Sequence, residues 1–141
     1  SWGAMLAAFY AIEAQRGTVA PQPSRLVLLD PAPLSRAWRA QFEEEFSRRQ
    51  ASPEVQAMRD ELAASGLRES DPAAYRQRTF ELSVAGYFAD PRRARDLTPF
   101  RVTGRVQQSV WESLGDFDLV PALGALTVPA PVVPGRQDPI P

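Results

Sequence analysis

Eight consecutive residues near the start of the chain, Met5-Leu6-Ala7-Ala8-Phe9-Tyr10-Ala11-Ile12, carry no charge and one polar side-chain group, the Tyr10 hydroxyl. Nothing in the run breaks a helix, and Gly3 to Arg16 is predicted as one. Gly17 then supplies the left-handed residue that commonly closes helices. An α-helix completes a turn every 3.6 residues, so eight successive apolar side chains cover its whole circumference. A helix of that kind has to be buried on several sides. The chain must therefore offer structure on more than one side of it.

A Pro-bearing turn from Ala20 to Ser24 leads into Arg25-Leu26-Val27-Leu28-Leu29-Asp30. Four apolar residues in a row between turn signals predict a short strand buried on both faces, as in a parallel sheet. Pro31 and Pro33 close it. Val128 to Val133 is a second candidate strand of the same type, preceded by a short helix that Asp118 can cap and that runs through Leu126. Pro131 and Pro134 are unusual there, because each removes a ladder donor. The loop Gly135-Arg136-Gln137-Asp138 follows, beyond the strand's C-terminal end, where open α/β sheets place ligands and catalytic groups.

Between the strands the chain turns polar, rich in Arg and Glu, and helical. Leu34, Trp38, Phe42 and Phe46 fall four apart and form one apolar stripe. Ser52-Pro53-Glu54 is a helix start, with a capping hydroxyl and proline at the first helical position. Val55, Met58 and Leu62 supply that helix's buried face and Gly66 ends it. The same start recurs at Asp71-Pro72 and Asp90-Pro91. A last helix is expected between Pro99 and Leu114, with Val102, Val106, Val110 and Trp111 inward and Gly115 as its stop. The predicted class is α/β, organised as core (1–33), helical insertion (34–115) and return to the core (116–141).

Composition limits the chemistry. The 141 residues suit one domain, and 44% hydrophobic with 23% charged residues is a soluble globular balance. His, Cys, Lys and Asn are absent, so all 16 basic residues are Arg. The chain therefore cannot by itself form a Ser-His-Asp triad, a His-ligated or Cys-ligated metal site, or a disulfide. A net charge of −1 does not favour nucleic acid, whose affinity rests on excess Lys and Arg. Arg92, Arg93 and Arg95 form a basic cluster bracketed by Asp90 and Asp96, either a solvated helix face or an anion contact. No apolar run reaches the roughly 20 residues of a membrane span, and no basic segment leads an apolar one as in a signal peptide. A cytoplasmic location is expected, with no membrane, nucleic acid, metal or cofactor.

Two positions could carry catalysis. Ser1-Trp2-Gly3 matches the last three positions of G-x-S-x-G, the tight turn that presents a nucleophilic serine between a strand and a helix. Three residues alone say little. Their context, an apolar helix beginning at once and then a buried strand, gives them weight. Asp138 is either a turn-forming Asp beside Gly and Pro or an orienting carboxylate at a strand's C-terminal edge. The order Ser, Asp, His is the one α/β-hydrolases use.

Together these residues resemble the proline iminopeptidases and related α/β-hydrolases. Ser1-Trp2-Gly3 is similar to their G-x-S-W-G elbow. Val102-Thr103-Gly104, Asp116-Phe117-Asp118-Leu119, Leu126-Thr127-Val128-Pro129 and Gly135-Arg136-Gln137-Asp138 resemble the segment that returns from helical cap to core. The resemblance implies an α/β-hydrolase fold, here partial with about two parallel core strands, carrying a large helical cap. It implies Ser1 as nucleophile, Asp138 as the triad carboxylate and the Trp2 backbone N–H as an oxyanion-hole donor. The expected substrate is a small peptide or ester, cleaved through an acyl-enzyme. Some relatives hold the substrate's amine with a Glu directly after the triad Asp and another before the T-G pair. Pro139 and Pro99 stand there, and Glu112 is either a substitute or an ordinary surface carboxylate. The H-G-G-P-G loop and the G-x-G-H segment have no counterpart, so these residues read as the middle of a hydrolase, inactive alone.

Two other readings are open. An N-terminal Ser can use its own α-amine as base, on folds built of layered antiparallel sheets. Alternatively the stripe Trp38, Phe42, Phe46 serves a non-catalytic helical module that binds a partner.

Overall fold

The computed structural model describes residues 2–99 and 104–140. Their contacts divide into two units, one comprising residues up to Phe42 with those from Arg105 onward, the other Glu43–Gly104.

The first unit is organised around α1 (Trp2–Gln15), which ends at Gly17 with φ +78°. Met5, Ala8 and Ile12 recur at helical spacing and are buried, together with Ala11 and Ala14. They meet Leu28, Ala32, Leu34 and Leu119 in one cluster. Fully burying a Met, Leu or Ile side chain contributes about 1.5–3 kcal/mol, so this stripe is the main anchor of the unit. Burial on several sides, expected from the apolar run, is met over about half of the circumference, with one sector left open. Leu6 is 71% exposed and Tyr10 is exposed as well. A two-stranded sheet, the short helix Val120–Gly124 and the Leu34–Leu119 pair cover the rest, and none of them reaches the sector of Leu6 and Tyr10.

Those strands are β1 (Leu28–Leu29) and β2 (Val132–Val133), paired in parallel with Leu28 opposite Val132 and Leu29 opposite Val133. The architecture is mainly helical with a small parallel sheet, compatible with part of an α/β domain. Both strands are shorter than expected and neither is buried on both faces. Leu28 is fully buried against α1, but Val27 and Leu29 on the opposite face are exposed, as are Val132 and Val133. Proline accounts for the short ladder. Leu26, Leu28 and Asp30 donate to the carbonyls of Pro129, Pro131 and Val133 at 2.9, 3.0 and 3.1 Å. In the parallel pattern the N–H of residue 131 would return a bond to the Leu26 carbonyl, and proline has none. Pro134 lies at the alternate position, where backbone groups face the outer edge of β2.

An antiparallel bridge between Ser35 and Asp118 closes the unit. Arg36 donates to the Phe117 carbonyl and Leu119 to the Leu34 carbonyl, each at 2.9 Å. This pairing buries Leu34 and Leu119 side by side. Ser35 then starts α2 (Arg36–Gln50) by accepting from the Trp38 N–H at 3.2 Å. Asp118 accepts from the Val120 N–H at 2.9 Å just ahead of α7 (Val120–Gly124), whose N-cap position is Leu119 rather than Asp118 and which ends two residues short of the predicted Leu126.

The second unit holds α3 (Pro53–Ala64), α4 (Leu67–Ser70), α5 (Pro72–Val84) and two 3-10 turns, Ala85–Tyr87 and Pro91–Asp96. The predicted caps are present. Ser52 accepts from the Val55 N–H, and Asp71 accepts from the N–H groups of Ala73 and Ala74 at 3.1 and 3.0 Å. Asp90 caps as expected, accepting from Arg92 N–H at 3.0 Å, but opens a 3-10 turn rather than an α-helix. Val55, Ala85 and Ala94 are the buried centre. Gly86 lies so close to Phe46 that a Cβ there would stand 3.0 Å from its ring.

The predicted insertion at 34–115 is longer than the second unit. Its two ends, Leu34 with Trp38 and Trp111 with Leu114, pack onto the first unit's core. Residue 102 lies outside the described residues. α6 (Gly104–Leu114) also departs from expectation, because Val106 and Val110 are exposed instead of inward and only Trp111 and Leu114 are half-buried. Among the described residues no helix is long and apolar enough to cross a membrane.

Candidate active site

Ser1, the predicted nucleophile, lies outside the described residues, as do Val102 and Thr103 of the V-T-G segment. The geometry available is that of Trp2, Asp138 and their surroundings.

Trp2 is the first residue of α1, so its N–H is among the donors that a helix leaves without an internal partner. Its ring is half-buried against Trp111, with centroids 4.4 Å apart and planes tilted by 51°. Trp111 in turn stacks on Phe117 at 6.1 Å and lies under the Arg39 guanidinium at 4.3 Å. Such aromatic pairs add about 0.5–1.5 kcal/mol beyond area burial. The start of α1 is thereby held in one position by α2, α6 and the segment before α7.

Asp138 follows β2 on a turn closed by its own N–H donating to the Gly135 carbonyl at 3.1 Å. The side chain is half-buried, and its Oδ1 accepts from Ile140 N–H at 2.8 Å. One carboxylate oxygen thus fixes the loop as an Asx turn does, while Oδ2 has no partner among the described residues. These bonds are those of the turn-forming Asp that the sequence offers as one reading of Asp138, placed on the loop that follows β2.

The direction of α1 relates these two elements. Gln15, at its far end, donates to the Ala125 carbonyl at 3.0 Å and accepts from Thr127 N–H at 2.7 Å. Ala125 and Thr127 lie on the chain entering β2. The helix therefore runs opposite to the strands, and its first turn lies toward the edge where they end, the edge that carries Asp138.

A second carboxylate on that edge was not singled out from the sequence. Asp30 ends β1 with a φ of +41°, the left-handed region that non-glycine residues seldom enter. Its Oδ1 accepts from the Gly135 N–H. A Cβ on Gly135 would stand 3.5 Å from that oxygen and 3.7 Å from the Asp138 Cβ, so Gly135 lies between the two aspartates. In the sequence Asp30 marks only the end of an apolar run before Pro31, and it is the register of β1 against β2 that brings it to Gly135.

Glu112 is exposed on α6 and accepts from Gln108 Nε2 at 2.7 Å, an i,i+4 pair on a helix surface. The basic cluster is largely paired: Arg92 and Arg95 both reach Glu61, and Arg93 reaches Asp96 at 2.8 Å. The strand pair is parallel, unlike the antiparallel layers that an N-terminal-nucleophile fold needs. Trp38 packs onto the first unit's core and Phe46 onto Gly86 and Tyr87 within the second, so those members of the predicted partner-binding stripe serve packing. Comparison with family models, with curated proteins and with solved structures finds no match to this chain.

Proposed function

We propose that these residues form part of a serine hydrolase of the α/β-hydrolase class, similar to the proline iminopeptidases, that cleaves an amide or ester through an acyl-enzyme. The observation that carries the reading is the position of Asp138. It stands on the loop beyond a parallel strand, at the sheet edge toward which the first turn of α1 also lies. Ser1, one residue before that turn, is the nucleophile in this reading, and the Trp2 N–H stabilises the oxyanion. Asp138 Oδ2, unused by the loop, orients a histidine supplied from outside these 141 residues, and that histidine takes the Ser1 proton. The Trp2, Trp111, Phe117 cluster presents an apolar surface at the start of α1, suited to an acyl group with hydrocarbon character. A small peptide or ester is the substrate, and proline preference is one case within that class.

A fluorophosphonate probe applied to the protein that joins this segment to such a histidine should label Ser1. Ser1→Ala should abolish both labelling and turnover while leaving the thermal transition in place. Undiminished kcat in that variant removes Ser1 as nucleophile and the reading with it.

A further inference from the structure

The second unit contains a pocket of about 190 Å3, between α3, α4, α5 and the 3-10 turn at Pro91–Asp96. Met58, Leu62, Leu67 and Leu82 supply its apolar surface, and two ion pairs, Glu61–Arg95 and Glu81–Arg78, its polar one. The ion pairs are unequal partners to anything that enters. Glu81 is 3% exposed and both its oxygens are engaged, one by Gln77 Nε2 at 3.0 Å and the other by Arg78 Nη1 at 2.6 Å. Both oxygens of Glu61 are taken as well, by Arg92 and Arg95. Hydrogen bonds from Arg95 and then Arg92 hold the Glu61 carboxyl below the usual carboxylate range, so it stays ionised and occupied. Ser65 donates to the Leu62 carbonyl and accepts from Leu67 N–H.

The acceptors lining the pocket are therefore used, while donors remain. A guanidinium offers five N–H groups and no acceptor. Arg78 spends only Nη1 and Arg95 only Nη2 on partners among the described residues. Two planar forks with open N–H groups, each steadied by a carboxylate, match a ligand carboxylate better than a neutral or cationic group. Size sets the rest, since a cavity of about 150 Å3 accommodates a benzene ring.

We propose that this pocket binds a small monocarboxylic acid with a compact branched or aromatic body, its carboxylate on Arg78 and Arg95 and its hydrocarbon on Met58, Leu62, Leu67 and Leu82. The site stands apart from the hydrolase reading and depends on none of its residues. Carboxylate chemistry of this kind is offered by a free acid or by the C-terminal residue of a peptide.

The chain has two methionines, one lining the pocket and the other, Met5, in the core of the first unit. With methyl-labelled methionine, titration of the 141-residue chain with 4-methylpentanoate should shift the Met58 methyl resonance saturably and leave Met5 unmoved. The isosteric 4-methylpentanamide should bind about ten-fold more weakly or worse, the loss of one charge-assisted contact. Arg95→Gln, at a half-exposed position, should weaken the acid by a similar factor with the Met5 resonance unchanged. Arg78→Lys keeps a cation beside buried Glu81, and should also weaken it by removing the fork. Tighter binding of N-acetylleucine than of 4-methylpentanoate assigns the pocket to a peptide C-terminus, and the reverse assigns it to a free acid. A Met58 resonance unmoved through the millimolar range, equal binding of acid and amide, or an unaltered affinity in Arg95→Gln overturns the proposal.

Discussion

The carboxylate of Asp30 accepts a hydrogen bond from the backbone N–H of Gly135, 105 residues along the chain, joining the ends of two parallel strands. The bond holds the turn that carries Asp138 against the sheet edge, and it explains why an aspartate occupies a left-handed position there. Asp and Asn enter that region more readily than other side chains.

Asp30→Ala removes the acceptor and leaves the same backbone conformation to a less tolerant residue. The expected loss is about 1 kcal/mol or somewhat more, read as a lower urea midpoint with unchanged slope. Asp30→Asn keeps an acceptor oxygen and should retain most of that stability. Equal midpoints for the alanine variant and the parent would show that the bond contributes nothing.

Pro131→Val tests the account of the short ladder. The new N–H should bond to the Leu26 carbonyl and exchange slowly with deuterium, whereas the corresponding amide in Pro134→Val should exchange fast. Net stability should change little, because one hydrogen bond of about 1 kcal/mol is offset by restoring freedom to the unfolded chain, about 0.4–1 kcal/mol. Fast exchange at residue 131 would place the ladder elsewhere.

Gly86→Ala introduces a methyl group 3.0 Å from the Phe46 ring. Overpacking of this kind costs about 1–3 kcal/mol. Phe46→Leu should relieve part of it, so the double variant should be less destabilised than the two single changes added together. Simple additivity in denaturant unfolding would mean the contact is not the cause.

Acid should weaken the fold through Glu45. Hydrogen bonds from Arg48 and then Arg49, at 2.8 and 2.7 Å, push its carboxyl from 4.5 down to about 2. A folded-state value below the unfolded one means stabilisation that is complete above pH 4.5 and fades as pH falls toward 2. Glu45→Gln should flatten stability against pH within that window and leave the profile above it alone.

Within the hydrolase reading, Asp138→Asn is the informative carboxylate change. Asn can still accept from Ile140 N–H, so the loop should persist, but it cannot offer the same charge or orient the histidine in the same tautomer. A fall in kcat of roughly 10⁴-fold with an unchanged thermal transition is expected. Activity within a few-fold of the parent would make Asp138 a turn residue only.

Local backbone chemistry was legible in the sequence. Ser52, Asp71 and Asp90 cap where a short polar side chain precedes proline, and Gly17, Gly66 and Gly115 take positive φ after their helices. These depend on a few neighbouring residues. Burial depends on what packs from afar, which neighbouring residues do not encode. The apolar composition of α1, β1 and α6 gave no information on how many sides would be covered, and Leu6, Leu29 and Val106 lie in the open. Asp138 was legible as a residue at a strand's end. Its companion Asp30 was not, because only the register of β1 against β2 brings it to Gly135. The pocket of the second unit was equally invisible, since Arg78 and Glu81 look like an ordinary i,i+3 pair until Met58 and Arg95 are placed beside them.

The apolar side chains left uncovered on the two-stranded sheet bear on how the chain behaves as a solute. Val27, Leu29, Val132 and Val133 present hydrocarbon to water, and a net charge of −1 gives copies almost no mutual repulsion. Exposed hydrocarbon with little net repulsion favours contact between copies as concentration rises. Sulfate and phosphate strengthen that contact, and a few added carboxylates at the exposed sheet positions would oppose it.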